Sequence, residues 1–196
     1  VALATHAEVV LMDVMMPVVD GVTATSQLIA AHVRSGADPA TRPAVVMLTG
    51  GGSAPDDQFV YEALRLGARG FVSKHARPDE LVQTVHDAAD PGRLVWPTET
   101  VRLIAAYTPE RGDRPDLMAA RASISTGDAI VVVGVARGHD DQRIARHLGV
   151  SPDEVRRRVS GVMASLGLRD RTQLVVFAHE CGLVHATGRG VGATTG

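Results

Sequence analysis

The sequence is short of several things, and each shortage excludes a class of protein. One of its 196 residues is a cysteine, Cys181. That excludes an internal disulfide framework and a cysteine-rich zinc site, and it fits a reducing, cytoplasmic setting. Aromatic residues make up 3% of the chain, too few for a platform that stacks single-stranded bases. No apolar run approaches the ~20 residues a membrane-spanning helix needs, so no membrane partner is expected. No charged leader with an apolar core marks a secretory signal. The eight histidines show no metal-ligand spacing, and no Ser/His/Asp order stands out. Gly50-Gly51-Gly52 follows an apolar run but has neither G-x-G-x-x-G nor G-K-[ST], so it reads as a flexible loop rather than a phosphate cradle. Lysine is nearly absent: Lys74 stands alone among 20 basic residues. The chain opens on Val1 without a methionine, which reads as a fragment.

What is present divides in two. Residues 1–100 carry 12 acidic and 7 basic side chains, and residues 101–196 carry 10 and 13. Halves of opposite sign predict two domains with different partners, the basic one facing a polyanion.

The first half alternates short apolar runs with helical patterns. Val9 to Met12 ends at Asp13, Ala44 to Leu48 ends at Thr49, and Gly70 to Ser73 ends at Lys74. Continuous apolar runs of this length read as strands buried on both faces of a parallel sheet. Helices are predicted over about 22–33 and 56–66, the second with Phe59, Val60, Ala63 and Leu64 inward and Gly67 as its stop. A third follows Pro78 with Leu81, Val82 and Val85, and a short one spans 98–107. Strands alternating with helices imply βαβ units. Thr108 to Pro115 is polar, with two prolines and a glycine, and reads as an exposed linker.

The second half reads as a small helical bundle. Ser125-Thr126-Gly127-Asp128 caps a helix running to Arg137, although the β-branched stretch Ala129 to Val135 fits a strand equally well. Asp140 caps a short helix, and Gly149 makes a turn. Ser151-Pro152-Asp153-Glu154 then opens a helix as a capping box, with Val155, Val159, Val162 and Leu166 inward. Asp170 with Gln173 opens a last helix holding Leu174, Val175 and Phe177, stopped at Gly182. The Gly/Thr-rich end from His185 is expected to be disordered.

Ligand sites in open parallel sheets form at the carboxyl ends of the strands. Those ends present Asp13, Thr49 and Lys74: a nucleophile, a hydroxyl and a cation. That trio suits phosphoryl transfer to a carboxylate. A phosphatase built on a strand-end aspartate would want a second acid two residues on, where Met15 stands. In the second half, a short helix, a glycine turn and a capped helix form a helix-turn-helix pattern. The second helix shows Arg156, Arg157, Ser160 and Arg158 on its polar side. From Arg137 to Arg171 there are 8 arginines against 5 acids. Such a helix is built to enter a major groove, where arginine holds phosphates or reads guanine edges.

Two resemblances sharpen this reading. VVLMDVMMPVVDG, AVVMLTGG and GARGFVSKHARPDEL resemble, in order, three strand segments of a response-regulator receiver domain. The resemblance implies Asp13 as phosphoacceptor, Thr49 as switch hydroxyl, Phe71 as switch aromatic and Lys74 as the phosphate-contacting lysine. It gives Pro17 and Gly21 the shaping of the loop after the first strand. It also implies Mg2+, held by Asp13 and the Met15 backbone carbonyl together with an acidic pair that this sequence does not show before residue 9. Roughly the first two βα units of the pattern are missing, which would leave the first strand here with an apolar edge. The stretch from Ile124 to Val184 resembles the LuxR-type helix-turn-helix of NarL/FixJ-type regulators. It implies DNA contacts from Arg156 and its neighbours, with Ser151 capping the recognition helix. Asp141 and Glu154 depart from that pattern and add negative charge near the DNA.

The expected fold is therefore α/β followed by all-α: a partial, flavodoxin-like, doubly wound parallel-sheet receiver and a small helix-turn-helix bundle. The expected division is 1–107 receiver, 108–123 linker, 124–184 helix-turn-helix and 185–196 tail. The expected function is that of a transcriptional response regulator, not an enzyme, phosphorylated on Asp13 by a sensor histidine kinase and binding double-stranded DNA as a homodimer. The alternative is a DNA-binding regulator whose incomplete receiver is a phosphorylation-independent interaction module.

Overall fold

The computed structural model describes residues 7–38, 41–50, 54–109 and 114–184. The expected loop at Gly51-Gly52, part of the expected linker and the tail from His185 lie outside these residues. Three parallel strands form one sheet in the order β1 (Val9–Asp13), β2 (Ala44–Thr49), β3 (Gly70–Ser73). Val9 pairs with Ala44 through to Asp13 with Leu48, and Val46 pairs with Gly70 through to Thr49 with Ser73. This register sets Asp13, Thr49 and Ser73 at neighbouring carboxyl ends, with Lys74 one residue beyond.

Strand side chains alternate between faces, and β2 shows the result. Val45 and Met47 join one apolar cluster, while Ala44 and Val46 join a second cluster with Val72, Ala88 and Val95. Both faces of β2 are covered, as its unbroken apolar run requires. β1 pairs with β2 and with no other strand among the described residues, and Leu11 on it is exposed. The expected apolar edge is present.

Helices α1 (Gly21–Arg34), α2 (Ala54–Leu66) and α3 (Pro78–Ala89) lie between and after the strands. Asp20 caps α1 by accepting from the Thr23 N–H at 2.8 Å. One inward assignment needs correction. On α2, Val60, Tyr61, Ala63 and Leu64 are buried, whereas Phe59 is 40% exposed. Tyr61 takes the place in the stripe that Phe59 was expected to fill. On α3, Val82 is 57% exposed while Thr84 and Ala88 are buried. The fully buried positions of α3 are thus the small residues Thr84 and Ala88.

α4 (Pro97–Tyr107) and α5 (Pro115–Ala122) follow. α5 occupies part of the stretch expected to be linker. α6 (Thr126–Ala136) settles the helix-or-strand ambiguity in favour of helix, with Ser125 accepting from the Asp128 N–H at 3.1 Å. α7 (Asp141–Leu148), α8 (Pro152–Ser165) and α9 (Arg171–Glu180) complete the bundle. Gly149 turns α7 into α8 with φ of 68°, a conformation that favours glycine. The first apolar cluster runs without a break from Val45 and Leu64 through Ile104 to Val131, Val155 and Leu174. Sheet and bundle share this core.

Candidate functional site

The carboxyl ends of the strands bring the expected trio together. Lys74 Nζ lies 2.7 Å from Asp13 Oδ2. The backbone N–H of Lys74 donates to Thr49 O at 2.8 Å, which ties the end of β3 to that of β2. Thr49 is buried and Asp13 half-buried. Asp13 Oδ1 accepts from the Met15 N–H at 3.0 Å. Phe71 sits on β3, partly buried against the shared core. The loop after β1 doubles back tightly: the Gly21 N–H donates to Val14 O at 3.0 Å. A Cβ on Gly21 would fall 2.1 Å from Asp13 O. Any larger residue there would collide with the Asp13 backbone carbonyl and shift the loop or the end of β1.

The Lys74 ammonium holds the Asp13 carboxyl below the ordinary carboxylate range, helped by the Met15 N–H and opposed by partial burial. An ionised carboxylate beside a cation at a strand end can attack phosphorus, and the cation can neutralise the charge that develops. The donors for a divalent cation are fewer than the resemblance implies. Among the described residues no group of three or more histidine, cysteine or acidic side chains could hold a metal. Asp13 and the Met15 carbonyl by themselves would give Mg2+ two oxygen ligands, fewer than the resemblance implies.

The second site lies on α7 and α8. Val155, Val159 and Val162 are buried, so the opposite side of α8 faces outward. Arg156, Arg157 and Ser160 are exposed on it. Ser151 caps α8 by accepting from the Glu154 N–H at 3.2 Å. The reciprocal half of the expected capping box is replaced. The Glu154 carboxylate pairs instead with Arg157 and, at 2.9 Å, with Arg158 Nε. Those two arginines hold the Glu154 carboxyl below its ordinary value, Arg158 foremost. Arg158 is half-buried, and its guanidinium approaches the space beside Gly127 at the start of α6. Arg156 Nη1 lies 2.9 Å from Asp153 Oδ1, and its Nε lies 3.7 Å from Asp141 Oδ2. The arginines of this helix carry their own counter-ions.

Sequence reasoning missed the polar contacts between the two halves. Arg65 on α2 pairs with Glu180 on α9 at 2.6 Å. Thr172 Oγ1 donates to Arg69 O at 2.6 Å, and Arg171 Nη1 donates to Gly92 O at 3.0 Å. Asp170 is fully buried, with Arg69 at 3.5 Å and Arg42 at 3.8 Å. Burial raises its carboxyl pKa, outweighing the Gln173 N–H and these distant arginines. Arg42 and Arg69 stand just before β2 and β3, at the end of the sheet opposite Asp13. Their position before buried strands was the available signal, but nothing in the pattern named Asp170 as their partner.

Residues 2–86 match the response regulator receiver domain. Over 180 residues the chain is 30% identical to the transcriptional regulatory protein YxjL of Bacillus subtilis (strain 168), covering 92% of this chain and 77% of that one. The chain belongs to the response-regulator family of transcriptional regulatory proteins. The regulator is also 28% identical to the transcriptional regulatory protein DegU of Brevibacillus brevis, covering 91% of this chain and 76% of DegU. Among solved structures it is similar to full-length FixJ from B. japonicum, with 24% identity, a TM-score of 0.34, and 89% and 75% of the two chains covered. YxjL and DegU are both named as transcriptional regulatory proteins. Among the regulator's described residues no single helix is long and apolar enough to cross a membrane.

Proposed function

We propose that the regulator is phosphorylated on Asp13 by a sensor histidine kinase and binds double-stranded DNA through α8. The observation that carries the first part is the Asp13–Lys74 pair, 2.7 Å apart at adjoining strand ends beside Thr49. An Asp13 carboxylate oxygen attacks the phosphorus of a phosphohistidine in line. The phosphorus–nitrogen bond breaks, the imidazole nitrogen leaves and takes a proton, and an acyl phosphate remains on Asp13. Lys74 neutralises charge on the phosphoryl oxygens, and Thr49 is the hydroxyl nearest in register to meet them. Phe71 is the aromatic on β3 that responds. Division into a receiver to residue 107 and a helix-turn-helix domain from 124 belongs to the same proposal, as does a homodimer on paired half-sites.

The DNA part rests on the α7–Gly149–α8 geometry, with Arg156, Arg157 and Ser160 on the open side and Ser151 fixing the helix start. Binding to DNA through these arginines falls steeply with salt, because phosphate contacts release counterions. It is lost in Arg156→Ala plus Arg157→Ala, as read by fluorescence anisotropy with a labelled duplex. Retained binding in that variant would contradict the assignment of α8. One observation favours the second reading, a receiver that acts through protein contacts alone: among the described residues no group of three or more acidic, histidine or cysteine side chains could hold a cation beside Asp13.

A further inference from the structure

We propose that Asp141 sets the DNA affinity of α8 by competing with phosphate for Arg156, and that Arg171 links this competition to the turn at residues 90–93. The proposal rests on the DNA-binding reading above. Asp141 is the first residue of α7, and its two carboxylate oxygens face different arginines. Oδ2 lies 3.7 Å from Arg156 Nε on α8, and Oδ1 lies 2.8 Å from Arg171 Nη2 at the start of α9. Arg171 is 7% exposed. Its other terminal nitrogen donates to Gly92 O at 3.0 Å, and its backbone N–H donates to Pro91 O at 3.4 Å. A buried guanidinium needs a counter-charge, and Asp141 is its ion-pair partner among the described residues. Arg156, Asp141 and Arg171 line one cleft of about 630 Å³ together with Asp87, Asp90 and Arg93 from the sheet-bearing half.

The chain of contacts runs from an exposed, DNA-facing arginine through one carboxylate to a buried arginine gripped by the other half of the molecule. Neutralising Asp141 acts at both ends. Arg156 loses a competitor for DNA phosphate, and Arg171 loses the charge that makes its burial tolerable. Asp153 provides the contrast. It also pairs with Arg156, at 2.9 Å, but lies 75% exposed on α8, and the ion pair of Arg171 is with Asp141.

The test compares the full chain with Asp141→Asn, Asp141→Ser and Asp153→Asn. Affinity is read by anisotropy with a short, labelled, random-sequence duplex at fixed salt. Hydrogen exchange is read at the Arg171 amide. Both Asp141 variants are expected to bind roughly two- to fivefold more tightly, the worth of one exposed ion pair, and to speed exchange at Arg171. Asp153→Asn is expected to tighten binding while leaving that exchange rate unchanged. Unchanged affinity or unchanged exchange in both Asp141 variants would overturn the proposal. So would an Asp153→Asn variant that reproduces both effects, since the cause would then be bulk charge. A wild-type chain with no salt-sensitive binding would overturn the DNA reading itself, whereas binding that ignores Asp141 would overturn this inference alone.

Discussion

Asp13 shows how much one neighbour decides. The Lys74 ammonium at 2.7 Å favours the ionised carboxylate, so the folded-state pKa of Asp13 lies below its ordinary value. A group depressed on folding contributes stability that is present above its unfolded pKa and is lost as pH falls through the folded value. Lys74→Met removes the main cause. The Asp13 pKa is then expected to rise towards the ordinary value, as followed by carbon NMR of its carboxyl group. An unchanged titration would mean that Lys74 does not control the carboxylate. Asp13, Thr49 and Lys74 were legible in the sequence because each ends an apolar run, and parallel strands deliver such ends to one edge. Glu154 was misread for a physical reason. Its carboxylate had a choice between the start of its own helix and two arginines three and four residues on, and the charged partners won. Spacing alone admits both.

At the scale of elements, α9 is the least legible and the most buried. Eight of its ten residues are buried, among them Arg171, Thr172 and His179. The sequence pattern marked Leu174, Val175 and Phe177 as inward, and those are buried. It could not mark the polar residues, because a helix wrapped on several sides shows no clean amphipathic period. His179 carries a consequence for pH. Burial lowers its pKa below 6.5, with only the Ala136 carbonyl opposing. The neutral imidazole is the form that packs, so its contribution to stability is present above the unfolded value and is lost as pH falls below it. Urea unfolding is expected to show stability declining below about pH 6.5, with the decline reduced in His179→Gln. An equal decline in both proteins would assign it to other groups. The strands, by contrast, were legible to within a residue or two, since each is a short apolar run; β2 is covered on both faces as expected, whereas β1 is a half-buried edge strand among the described residues.

The whole molecule departs furthest from what the sequence pattern conveys. Charge asymmetry and the Pro/Gly-rich stretch near 108–115 divide the chain into two parts, and the folded chain has a sheet-bearing part and a helical part. Pattern reasoning is blind to how such parts meet, because an inward stripe does not name the surface it faces. Here α9 packs on α2 and α4, and one apolar cluster continues through both parts. Asp170 stands at the polar heart of that junction, capping α9 and facing Arg42 and Arg69. Asp170→Ala removes a helix cap and leaves two poorly solvated guanidinium groups without their carboxylate. It is expected to cost about 3 kcal/mol or more, measured by urea denaturation. A loss below about 1 kcal/mol, within reach of the cap alone, would mean that the two parts are held by the apolar core and not by this cluster.

Phosphorylation of Asp13 is read most directly by intact-mass spectrometry. The regulator is incubated with a small-molecule phosphodonor and Mg2+, beside Asp13→Asn. A single phosphoryl adduct is expected on the wild-type chain and none on the variant. A folded wild-type chain that takes up no phosphoryl group, or an adduct that persists in Asp13→Asn, would contradict phosphorylation on Asp13.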